Sequence, residues 1–116
     1  MKISTIKELL DAEVICCEEG LKLHVYSAFG SDMMSDVLAY VKEQAVLLTG
    51  LVNPQVVRTA EMMDISAIVF VRGKDPDESI IEMAKAKDMV IMTTELPLYI
   101  ACGELYTNGL VGKKRG

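Results

Sequence analysis

The apolar and polar positions of this chain change period several times, and the changes mark out its elements. Ala45 to Leu48, Ala67 to Val71 and Met89 to Met92 are unbroken apolar runs. Such runs belong to strands covered on both faces. Between them, Val56, Val57, Ala60 and Met63, then Ile80, Met83 and Ala84, recur at the spacing of one buried helix face. Asn53-Pro54 and Asp75-Pro76 stand ahead of these helices, each a capping residue with proline just inside. The stretch from Ala45 to Thr94 therefore predicts strand, helix, strand, helix, strand, the core of a parallel α/β sheet.

The flanks extend the pattern. Met34, Val37, Leu38 and Val41 predict a helix after the loop Ala28-Phe29-Gly30-Ser31-Asp32, with Asp32 as its N-cap. Before it lie two β-prone runs, Glu13 to Cys17 and Leu21 to Ser27, separated by the turn signal Glu18-Glu19-Gly20. That gap is too short for a parallel crossover. The first strand is thus expected antiparallel to the second, at one sheet edge. Thr5-Ile6-Lys7-Glu8 has capping-box spacing and predicts a short first helix burying Ile6, Leu9 and Leu10. Thr93-Thr94-Glu95 leads into a last helix from about Pro97 to Tyr106, stopped by Asn108-Gly109. Expected strand starts at Leu23, Ala45, Ala67 and Met89 fall at equal intervals, as regular βαβ winding requires. The expected fold is a three-layer α/β domain with Rossmann-like winding. Its mostly parallel sheet has about five strands, one an antiparallel edge strand. Residues 1–112 form one domain, and 113–116 a basic tail carrying Lys113-Lys114-Arg115.

Composition narrows the function classes. The net charge of −5 argues against nucleic acid, whose backbone is bound through Lys and Arg. The apolar runs are too short to span a membrane. Hydrophobic residues make up 51% of the chain, which points to apolar surface hidden in a partner, most simply a second copy. Three cysteines with no ligand spacing and no signal-peptide pattern fit a cytoplasmic protein with thiols in its core.

Open α/β sheets bind ligands outside the carboxyl ends of their strands. Those ends carry Ser31 and Asp32, Thr49 and Gly50 with Asn53 beyond, Arg72 and Gly73, and Thr93 and Thr94. Small hydroxyl residues and glycines leave room for a small polar or anionic molecule, and Arg72 can pair with a carboxylate or phosphate. Catalytic signatures are missing: the single histidine, His24, lies in an expected strand, and neither G-x-S-x-G nor a P-loop nor G-x-G-x-x-G occurs. A phosphoacceptor receiver domain has a comparable layout, but Thr49 stands where its acceptor Asp would be.

Phe29 to Leu38, Leu48 to Gln55 and Ala67 to Gly73 resemble recurring segments of the DRTGG-domain family, and the resemblance runs from Thr5 to about Gly112. The chain looks like the small stand-alone form of a module joined elsewhere to phosphotransacetylases and CBS-domain pyrophosphatases. A related form stands at the N-terminus of HPr kinase/phosphorylase. The resemblance implies an α/β fold, self-association and a regulatory, ligand-sensing role. The naming motif is not intact: Leu47-Leu48-Thr49-Gly50-Leu51 keeps only its Thr-Gly. The expectation is a non-catalytic, homodimeric sensor with no cofactor or metal, binding at Ser31, Asp32, Thr49, Gly50, Asn53, Arg72, Gly73, Thr93 and Thr94. The alternative is an interaction module that docks a partner enzyme.

Overall fold

In a computed structural model describing residues 1–41 and 44–112, five helices surround a five-stranded sheet. The order along the chain is α1 (Ile3–Leu9), β1 (Glu13–Cys16), a 3₁₀ turn (Glu18–Lys22), β2 (Ser27–Gly30), α2 (Met34–Tyr40), β3 (Ala45–Thr49), α3 (Pro54–Met62), β4 (Ala67–Phe70), α4 (Glu78–Ala86), β5 (Val90–Thr93) and α5 (Leu98–Thr107). The sheet order is β1-β5-β4-β3-β2. Strands β2 to β5 run parallel, and β1 pairs antiparallel with β5. The α/β class and the antiparallel edge strand are as expected from the sequence. The basic tail lies outside the described residues.

Alternation along each strand separates two cores. Leu47, Ile68, Phe70 and Ile91 face α2, α3 and α4, meeting Val37, Val56, Ala60, Ile80 and Ala84. Val46, Leu48, Val69 and Met92 face α1 and α5, meeting Ile3, Ile6, Ala101 and Leu105. Every residue of β3, β4 and β5 is buried, which is why these three read as continuous apolar runs.

The N-terminal third differs from expectation. The edge strand β1 pairs with β5, and β2 lies at the opposite edge. The β-prone run Leu21 to Ser27 contributes only its last residue to the sheet. Residues 18–22 form the 3₁₀ turn instead, with Leu23 N donating to Gly20 O. Leu23 to Val25 then pairs with the N-terminus: Ile3 N donates to Leu23 O at 2.9 Å, and Val25 N to Met1 O at 2.8 Å. The extended propensity is used, but locally, so the strand count survives while the start shifts from Leu23 to Ser27. Helix α1 starts at Ile3, which leaves Thr5 inside it and the capping box unused. Met34 and Val37 of α2, with Val41 at its C-cap, form a narrow buried stripe, and Leu38 at its margin is 41% exposed.

After β4 the chain turns to α4 on one face, and after β5 it crosses to α5 on the other. Divergence of neighbouring loops to opposite faces is what opens a crevice at the carboxyl edge of an α/β sheet. Here two backbone bonds bridge the loops: Arg72 N to Leu96 O at 2.9 Å and Gly73 N to Thr94 O at 2.8 Å. Between β4 and β5 the carboxyl edge is therefore a closed crest.

Candidate functional site

Thr49, Phe70 and Thr93 are register partners across β3, β4 and β5, so the loops that follow begin level with one another. Asp32 does not cap α2, which begins with Met33 as its N-cap. Its Oδ1 instead accepts from Gly50 N at 2.7 Å and from Thr49 Oγ1 at 3.2 Å. Thr49 Oγ1 also accepts from Leu51 N at 3.1 Å. The Thr-Gly turn is thus held from within the protein by the Asp32 carboxylate.

Other hydroxyls are committed as well. Thr94 Oγ1 donates to Leu10 O at 2.7 Å, tying the end of α1 to the end of β5, and accepts from Leu96 N. Ser31 Oγ accepts from Met33 N at 3.0 Å. Thr93 is buried beside Glu13 and Phe70 in the sheet. Asn53 occupies the N-cap of α3 without a side-chain cap bond, and its Oδ1 is buried with no hydrogen-bond partner. A buried acceptor left open is unusual and calls for a donor.

Arg72 is the outlier of the crest. Its backbone is left-handed, at φ 59°, and Gly73 follows at φ 66°. A bulky residue held there costs on the order of 1–2 kcal/mol. The turn points the guanidinium across β3 to lie against Gly50, filling the space a Cβ would occupy. Arg72 is exposed and forms no ion pair among the described residues. Glu95, not singled out from the sequence, packs its carboxylate against Gly73. The only signal for it was its place directly after Thr93-Thr94. The structure thus brings Asp32, Thr49, Gly50, Arg72 and Gly73 together with Glu95. Thr94 and Ser31 act as local fasteners.

Gly50 provides a selective probe. Its backbone is not left-handed, and the nearest atoms a Cβ there would meet belong to the movable end of Arg72. Gly50→Ala is expected to change the unfolding free energy by under ~1 kcal/mol while displacing the guanidinium. Equilibrium urea unfolding checks the first part, and any ligand titration checks the second.

At the other end of the sheet, a recess of about 630 Å³ is lined by Cys16, Cys17, Glu18, Glu19, Lys85 and Asp88. Burial, the adjacent Cys16 and the charges of Glu19 and Asp88 push the Cys17 thiol up to about 11. A thiol so placed is a poor nucleophile. Alkylation of Cys17 by iodoacetamide, followed by peptide mass spectrometry, is expected to be very slow at neutral pH and to rise about tenfold per pH unit into the alkaline range. The stability linked to this proton is fully present below the ordinary value of 9.0 and is lost as the pH rises through about 11. Burial likewise raises the Cys102 thiol, which packs against Gly30. Among the described residues no cluster of three or more His, Cys, Asp or Glu could hold a metal ion, and no helix is long and apolar enough to cross a membrane.

Residues 5–101 match the DRTGG domain family. This chain belongs to that family. No protein of curated function matches the sequence of this DRTGG domain. Among solved structures, it is similar to the CBS and DRTGG domains of the regulatory region of a Clostridium perfringens pyrophosphatase, complexed with the activator diadenosine tetraphosphate. The two are 19% identical with a TM-score of 0.70, over 90% of this chain and 45% of that one. The likeness confirms the fold, and the DRTGG domain spans under half of the longer regulatory region.

Proposed function

We propose that this DRTGG domain is a non-catalytic regulatory module that senses a small polar or anionic molecule at the carboxyl crest of its sheet. Arg72 carries the reading. An exposed guanidinium with no ion pair among the described residues is held over Gly50 by a backbone conformation that costs stability, and strain of this kind gathers where a side chain is needed for binding. The pyrophosphatase neighbour, whose regulatory region is complexed with an activator, supports a regulatory role by analogy. Residues 1–112 act as the ligand-binding unit, with 113–116 as a basic tail, and the free thiols suit a cytoplasmic setting.

The test is a thermal-shift screen of nucleotides, sugar phosphates, carboxylic acids and amino acids on the full chain. A true ligand at a hundredfold excess over its Kd adds about 2.7 kcal/mol. A hit that survives Arg72→Gln, or a screen with no hit, sinks the sensor reading.

The module acts as a homodimer. Helix α5 is apolar around most of its circumference yet buries only Ala101 and Leu105, leaving Tyr99 86% and Tyr106 64% exposed. A helix of that composition is normally covered on all sides. Light scattering is expected to give twice the chain mass, and Tyr99→Asp to return it to one. A second reading, in which the same face docks a partner enzyme, gains if the free chain is monomeric at high concentration.

A further inference from the structure

Many donors of the crest are already committed within the protein. The backbone N–H groups of Gly50, Leu51, Arg72, Gly73 and Lys74 all donate within the protein. The Thr49 and Thr94 hydroxyls are likewise committed. Phosphate groups are held by several converging N–H donors, and the five named here are already used. A carboxylate needs less, since one guanidinium binds it with two parallel hydrogen bonds.

The charges point the same way. Arg72 lies against Gly50, whose N–H is held by the Asp32 carboxylate, and Glu95 packs its carboxylate on Gly73, the residue after Arg72. Arg72 ion-pairs with neither. Lys74 and Asp75, next in the loop, are exposed and of opposite sign. A polyanion brought to Arg72 meets repulsion from both carboxylates. A ligand that carries its own cation meets attraction from them.

We propose that the crest takes a small zwitterion of the α-amino acid class, with its carboxylate on Arg72 and its ammonium toward Glu95 and Asp32. This rests on the reading of the crest as a ligand site and narrows it.

The test is calorimetric titration of the full chain with each proteinogenic amino acid, inorganic phosphate, ATP, acetate and ethylammonium. One or more amino acids are expected to bind, with Kd rising at least tenfold in Arg72→Gln and in Glu95→Gln. Acetate and ethylammonium, each carrying half the charge pattern, are expected to give no heat. Both substitutions are at exposed positions, and circular dichroism checks that the variants fold. Binding of phosphate or ATP alone, strengthened by Glu95→Gln, overturns the zwitterion while the sensor reading stands. Amino-acid binding that neither variant weakens overturns it too. No binding by any compound removes both.

Discussion

Phe70→Ala is expected to lower the unfolding free energy by about 3–5 kcal/mol, the usual cost of emptying a large buried aromatic site. Phe70 is fully buried in β4, with β3 on one side and β5 on the other, and it packs into the core shared with α3 and α4. Backbone bonds hold both neighbouring strands in place, so the site cannot collapse easily, and the cost falls toward the upper part of that range. Against a total of about 5–15 kcal/mol for a domain, this is a large share. Urea unfolding reads it as a drop in midpoint at unchanged slope. A loss below ~1 kcal/mol contradicts the packing described here. The site is linked to this core, because Arg72 follows Phe70 by two residues.

Arg72→Gln is expected to abolish the ligand response altogether, with little change in unfolding free energy, because the side chain is exposed and forms no ion pair among the described residues. Arg72→Gly goes further. Glycine adopts φ 59° without a Cβ penalty, so it is expected to hold stability or raise it by up to ~1 kcal/mol while still losing the response. A residue that costs stability and confers binding is the pattern of a functional site. A ligand response that persists in both variants removes Arg72 from the site.

The central strands were legible because burial on both faces leaves a contiguous apolar run, as at Ala45 to Leu48 and Ala67 to Val71. Asn53-Pro54 marked the start of α3 correctly because proline suits the first helical turn. Pairing partners were not legible. Nothing local to Glu13–Cys16 says that it meets β5, more than seventy residues away. Leu21 to Ser27 carried a real extended propensity, but which strand uses it depends on Met1 to Ile3 folding back. Asp32 shows a subtler limit: the residue type that caps a helix is also the one that reaches across to a neighbouring loop, and only the fold distinguishes the two. Glu95 was missed because a carboxylate after a strand is ordinary in sequence. Its place against Gly73 depends on the bonds that draw the β4 and β5 loops together.

The central claim is that the ligand sits on the crest around Arg72. It is tested most directly by following backbone amide resonances of the labelled full chain during titration with a hit from the thermal-shift screen. Shifts concentrated at Gly50, Leu51, Arg72, Gly73 and Glu95, and absent in Arg72→Gln, are the predicted result. Shifts confined to α5 or to the Cys16–Glu19 end of the sheet, with the crest unmoved, would contradict it.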